Sequence, residues 1–288
     1  MIGVIKKTKA FWAGRKGVSL LQPLWDFIRL MKKDAIYSTT TSWVFKFAPI
    51  VGFASIIFAS LFVPLVTGQA IINLQFSFII FAYVLGFGKF FSLLAALDTG
   101  SSFEGMGASR EACFSTIVEP AFFIAMASIA SLSQNYSFDS FKYILNGAGV
   151  YGYLIIALAV ITLFIMLLIE GCRVPVDDPT THLELTMIHE VMILDNSGVD
   201  LGFITWASAI KMFLFEALIA NLIIPIGLPL MWTIGLFLLI IFLLAVLIGT
   251  VESAFARFRM THVFEFIFIM SITALLILAL VTYRLYGN

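Results

Sequence analysis

Residues 170–198 read EGCRVPVDDPTTHLELTMIHEVMILDNSG, and long apolar segments flank them on both sides. The stretch holds Arg173, Asp177, Asp178, Glu184, Glu190 and Asp195, together with two of the three histidines. A polar, acid-rich segment between membrane spans is where such a chain meets partners, ligands or protons. The flanking segments read as its support.

The flanks decide the fold class. Residues are 61% hydrophobic and 12% charged, with 30 Phe and a mean hydropathy of +1.06. Runs of about 20 apolar residues recur, the length a helix needs to cross a hydrocarbon core. The alternating ten-residue segments of a membrane barrel are absent. The expectation is an all-α polytopic membrane protein forming a single transmembrane domain over residues 1–288. Its seven visible transmembrane helices lie near 44–66, 74–97, 111–133, 148–170, 206–226, 229–251 and 263–283. A basic amphipathic segment, 1–43, precedes them, and a large loop, 171–205, divides them.

Net charge is zero by formal count, so no global field points to nucleic acid. The two cysteines, Cys113 and Cys172, are far apart. They support neither a disulfide framework nor a self-contained iron–sulfur or zinc site. No cleavable signal peptide is expected, because Lys6, Lys7 and Lys9 lead into no apolar core. No internal repeat is visible.

The N-terminal segment carries Lys6, Lys7, Lys9, Arg15, Lys16, Arg29, Lys32 and Lys33 against Asp26 and Asp34. Leu20, Leu21, Leu24, Phe27, Ile28 and Met31 form a helical stripe suited to lying in the membrane interface, or simply to a positive flank that sets topology. By the asymmetry of Lys and Arg in short loops, this segment falls on the cytoplasmic side. So do the 98–110 loop, the central loop and the 252–262 loop. In the central loop, Asp178-Pro179 reads as the start of a short helix. That helix carries Leu183, Met187, Val191 and Leu194 on one face and His182, Thr186 and His189 on another, with Ser197-Gly198 as its end.

Ionisable residues within spans are costly and count as functional candidates. They are Lys89, Glu111, Glu119, Glu170, Lys211, Glu216, Glu252 and Glu265. Lys211 and Glu216 are five apart, on diverging faces of a helix, so each must face another helix or a wet cavity. Carboxylates grading inward from a cytoplasmic loop suit a proton path; those at span ends also suit simple snorkelling to water. A metal site is not expected: His182 and His189 are seven apart, not the four of HExxH. For His182, Glu184, His189 and Glu190 a loop-anchoring hydrogen-bond role is expected instead. GxSxG, P-loop and GxGxxG motifs are missing, so no catalytic residue is assigned.

At these residues the chain resembles a known family. Glu170-x-x-Arg173-x-Pro175-x-Asp177-x-Pro179, then Glu184-Leu185, then Asp195 to Gly198, is similar to the loop of the complex I membrane subunit NuoH. The wording THLELTM-x-HE and the longer spacing to Ser197 resemble more specifically the related subunit of formate hydrogenlyase and energy-converting nickel–iron hydrogenases. Gly14-Arg15-x-Gly17 with Leu21-Gln22-Pro23-x-x-Asp26-x-x-Arg29 is similar to the family's surface helix, with Val18 where a proline is usual. Leu97-Asp98-Thr99-Gly100-Ser101, Ser109-Arg110-Glu111 and Glu119-Pro120 match its second cytoplasmic loop and the span after it. The family carries eight spans, and this sequence opens where the first would be ending.

The resemblance implies a subunit, non-catalytic by itself, of a respiratory or group 4 nickel–iron hydrogenase complex in the cytoplasmic membrane of a prokaryote. It would dock the hydrophilic electron-transfer arm through a surface that includes Arg15, Gln22, Pro23, Asp26 and Arg29. It would begin the ion route with Glu119, Glu170, Asp177, Glu184, Glu190, Asp195, Lys211 and Glu216, with Arg110 and Arg173 as charge partners. Iron–sulfur clusters and a nickel–iron centre are expected in partner subunits, with none bound by this chain. The partners implied are hydrogenase-like electron-transfer subunits, antiporter-like membrane subunits and membrane lipid, and no nucleic acid. The alternatives are the quinone-binding subunit of an NADH dehydrogenase and, from another class, a stand-alone secondary transporter, whose paired repeats are not visible.

Overall fold

The computed structural model describes residues 1–66, 69–133, 136–139, 149–177, 187–225 and 227–286. Its helices run in the order α1 Ile2–Trp12, α2 Gln22–Met31, α3 Trp43–Ser60, α4 Ser77–Asp98, α5 Ser102–Ser133, α6 Gly149–Glu170, α7 His189–Met192, α8 Gly198–Ile223, α9 Leu230–Ala254 and α10 Met260–Tyr286. Seven of them, α3 to α6 and α8 to α10, are long and apolar enough to cross a membrane. The multi-pass, all-helical expectation holds. Large side chains such as Leu239 and Phe242 on α9 and Leu275 on α10 point outward, as lipid-facing residues do. Inside, Phe81 is fully buried and meets Phe122, Phe138 and Phe215 with ring centroids 6.4, 5.5 and 5.9 Å away.

One end of the bundle gathers the basic and acidic segments. The Asp98 carboxylate accepts from the Ser42 amide at 2.7 Å, which ties the start of α3 to the end of α4. Ser42 in turn caps α3 by accepting from the Val44 amide. The Phe258 amide donates to the Pro175 carbonyl at 3.0 Å, joining the α9–α10 link to the central segment. The N-terminal segment, the α4–α5 turn, the central segment and the α9–α10 link thus share one end, the grouping that their Lys and Arg content suggests.

Two spans begin earlier than the hydropathy pattern indicates. Helix α5 starts at Ser102, so most of the expected 98–110 loop is helical. Its polar residues fit there because they are engaged beneath the central segment. Glu104, which is buried, accepts from the Asp195 amide at 3.1 Å, and Arg110 donates to the Met187 carbonyl at 2.9 Å. Helix α8 starts at Gly198, so Ser197-Gly198 opens a span and does not close a loop helix. Gly198 has φ +52°, and a Cβ there would lie 2.4 Å from the Asp34 carbonyl oxygen. The glycine therefore serves both a left-handed backbone and a close approach of the chain beyond α2. Ser197 turns outward, its hydroxyl accepting from the Ile36 amide at 2.9 Å.

Residues 178–186, where the sequence places the start of the loop helix and where His182 and Glu184 fall, lie outside the described residues. The next element is the single turn α7, with Met187 and Val191 buried as the stripe suggests and Leu194 exposed. The surface helix α2 lies on α8, where Phe27 stacks on Trp206 at 4.6 Å, while Leu20, Leu21 and Leu24 stay exposed.

Helix α1 packs on α9 through glycine: a Cβ on Gly249 would stand 2.7 Å from the Thr8 Cβ. Gly249→Leu should push α1 off and lower stability by about 1–3 kcal/mol, the usual cost of overpacking. Gly235 on the same helix has open space around it, so Gly235→Leu should leave the thermal midpoint of the detergent-solubilised protein unchanged. Equal midpoints for both variants would refute this packing.

Candidate functional site

Four helices bring charge to one place inside the bundle. Glu170 is the last residue of α6 and is buried. One carboxylate oxygen accepts from the Lys89 ammonium of α4 at 2.6 Å, and the other from the Lys211 ammonium of α8 at 3.1 Å. Lys89 also lies 3.3 Å from the Glu111 carboxylate and 3.0 Å from the Ser115 hydroxyl. Glu111 and Ser115, four residues apart on α5, share one helix face. Two lysines and two glutamates balance in sign, the condition under which buried charges are tolerated.

A cavity of about 80 Å³ adjoins this cluster; its largely apolar wall is broken by Ser55, Lys89, Ser92, Glu111, Glu170, His189, Ser208 and Lys211. With those polar groups in its wall, a space of that size has room for a few waters. Beyond it a smaller space, about 20 Å³, is lined by Lys89, Glu170 and Glu119. Glu119 is exposed on the outer side of α5, next to the internal Pro120.

On the polar end lies a much larger cavity, about 570 Å³, under the N-terminal segment. Lys6, Lys9, Arg15, Lys16, Pro23 and Asp26 line it from the N-terminal side, and Cys172, Arg173, His189, Glu190, Trp206 and Glu252 from the bundle side. Glu252, buried near the end of α9, is bracketed by Lys9 at 2.9 Å and Arg173 at 3.3 Å. Arg173 reaches it because α6 ends in a Schellman turn. The Arg173 amide bonds to the Leu168 carbonyl and the Cys172 amide to that of Ile169, with Cys172 left-handed at φ +52°. Burial pushes the Cys172 thiol well up, so it stays neutral and weakly reactive.

Asp177 anchors the central segment. Its carboxylate meets Arg257 at 2.9 Å and accepts from the amides of Ile188 and His189 at 3.2 and 2.9 Å. His189 lines both cavities. Burial first, and then the Lys211 ammonium, hold it below the ordinary imidazole range.

The sequence candidates therefore divide. Glu170 and Lys211 meet, and Glu119 lines the adjoining space. Among the described residues, Arg110 binds the Met187 carbonyl and Arg173 binds Glu252. Glu170 takes lysines instead, and Asp177 takes Arg257. Asp195 is exposed, with its amide held by Glu104. Glu190 lines the large cavity. Glu216 is wholly buried on α8, and neither carboxylate oxygen has a hydrogen bond among the described residues. Gln22 donates to Asp26 at 2.8 Å, and Arg15, Pro23 and Asp26 line the cavity, whereas Arg29 points to solvent. Lys89 is the member that motif reading passes over, although it and Asp98 are the only charges in α4.

A family model described as "NADH dehydrogenase" matches residues 1–283. Formate hydrogenlyase subunit 4 of Escherichia coli (strain K12) is 24% identical over 265 residues, 90% of this chain and 85% of the relative. Hydrogenase-4 component C of the same organism is 26% identical over 264 residues, covering 89% and 82%. NADH-ubiquinone oxidoreductase chain 1 of Hyaloraphidium curvatum is 25% identical, covering 72% and 65%. Among solved structures, a chain of the membrane-bound sulfane sulfur reductase, an archaeal respiratory membrane complex, superimposes with a TM-score of 0.81. It does so at 19% identity, covering 97% of this chain and 93% of that one. The likeness is one of fold.

Breaking the central pair should be expensive. Glu170→Leu strands the Lys211 ammonium, leaves Lys89 to Glu111 alone, and should destabilise the protein by about 3–5 kcal/mol. Adding Lys211→Met, which leaves Lys89 paired with Glu111, should recover most of that loss, a coupling that thermal unfolding of all the variants measures. Purely additive losses would contradict the network.

Proposed function

The chain belongs to the NADH dehydrogenase family, and we propose that it serves as the membrane-anchoring, ion-coupling subunit of a hydrogenase-type respiratory complex. The observation that carries this reading is a row of three neighbouring cavities, sharing lining residues and bordered by the buried charges, through an otherwise apolar bundle. The large cavity and the 80 Å³ cavity share His189 and Ser208. The 80 Å³ cavity and the small space share Lys89 and Glu170. Glu119 then opens on the outer side. A carboxylate exposed at mid-span is costly against lipid, so this side suits a neighbouring membrane subunit, such as an antiporter-like one.

The relatives named formate hydrogenlyase subunit 4 and hydrogenase-4 component C support the hydrogenase assignment. On this reading the chain sits in the cytoplasmic membrane of a prokaryote with its polar end, N-terminus included, in the cytoplasm. That end docks an electron-transfer arm, and the iron–sulfur and nickel–iron centres reside in that arm. A change of charge there as electrons arrive alters the field over the large cavity. Carboxyl and imidazole groups along the row respond by exchanging protons. A quinone-binding role would keep this geometry and change only the occupant of the large cavity.

Glu119→Gln keeps shape and hydrogen bonding and removes the titrating group. In the intact complex it should abolish ion movement while electron transfer through the soluble arm continues, read by following both in reconstituted vesicles. Ion movement at the wild-type ratio to electrons would sink the reading.

A further inference from the structure

We infer that the His189 side chain is the relay that carries protons between the large cavity and the buried charge cluster, an inference that rests on the proton route proposed above. Three residues line both cavities: His189, Ile204 and Ser208. Ile204 carries no proton, and a serine hydroxyl does not ionise near neutral pH. Of the three, only an imidazole can accept a proton on one nitrogen and release another from the second.

The anchoring that the sequence suggests for this histidine is accomplished by its main chain. The His189 amide donates to the Asp177 carboxylate at 2.9 Å, which Arg257 also holds at 2.9 Å. That bond leaves the ring uncommitted on a fixed backbone, in a residue that lines both spaces. The charged groups around it are Lys211 on α8, Glu111 on α5, Lys89 on α4 and Asp177 on its own segment. Burial together with Lys211 keeps the resting ring neutral near pH 7, so it is ready to take a proton.

The step balances without any redox partner. A hydronium or protonated group in the large cavity delivers a proton to one ring nitrogen. The other nitrogen gives up its proton to water beside Glu111 and Glu170. Ring rotation or tautomer exchange then restores the neutral starting form, with one proton moved and no net change in the protein.

The test uses the intact complex in vesicles, with ion movement and electron transfer measured together for His189→Gln and Glu119→Gln. Glutamine fills the space and keeps the backbone contact with Asp177. His189→Gln should reduce ions moved per electron about tenfold or more, within the range that positioned proton transfer contributes. Added imidazole, which can enter the large cavity, should restore part of the loss. If His189→Gln keeps the wild-type ratio while Glu119→Gln abolishes it, the relay is refuted and the route survives. If both keep the ratio, the relay and the route fall together. A loss in His189→Gln that imidazole does not rescue assigns the ring a packing role and overturns the relay as well.

Discussion

The meeting of Lys89 and Lys211 on the two oxygens of Glu170 is the constraint on which the rest of the bundle depends. Each of these charges would be intolerable in an apolar interior by itself. Together they tie α4, α6 and α8, and Glu111 brings in α5. Satisfying them requires polar company, and Ser55, Ser92, Ser115 and Ser208 supply it around a space that water can fill. A membrane bundle built for packing alone would have no reason to keep such a hole. The contact that holds the helices in register also borders the cavity that lies between the polar end and the outer side of α5.

The polar end obeys the same logic with different partners. Asp177 gathers two amides and Arg257, Glu104 receives the Asp195 amide, and Glu252 draws Lys9 and Arg173 to the wall of the large cavity. These carboxylates hold an irregular segment against helix ends, where a regular element would use its own backbone hydrogen bonds. Close backbone approaches at Gly198 and Gly249 set the chain beyond α2 and α1 against α8 and α9, which roofs the cavity. Without those two glycines, the N-terminal segment would stand away from the bundle and the cavity would open.

Much of this was legible in the amino-acid sequence because hydropathy is a local property. Seven spans, the amphipathic stripe of residues 20–31 and the polar centre of the chain can all be read from windows of about 20 residues. The divergence of Lys211 from Glu216 follows from helix geometry, and the two do point to different surroundings. What could not be read was pairing. Lys89 and Glu170 are 81 residues apart, Arg173 and Glu252 are 79 apart, and nothing in either neighbourhood names its partner. Span boundaries moved for a related reason: Glu104 and Arg110 look like loop residues until the central segment covers them. Ser197-Gly198 carries the signal of a helix end, yet the positive φ of Gly198 serves the start of α8.

The central claim is that the buried lysine–glutamate cluster conducts the coupling ion and is more than a structural clasp. The most direct test is the double variant Glu170→Gln/Lys211→Gln, which removes one charge of each sign and keeps polar side chains in place. With its assembly into the complex verified, ion movement and electron transfer would be recorded in the same vesicles. The account predicts continued electron transfer with no ion movement. Wild-type ion movement per electron would contradict it and leave the cluster a clasp alone.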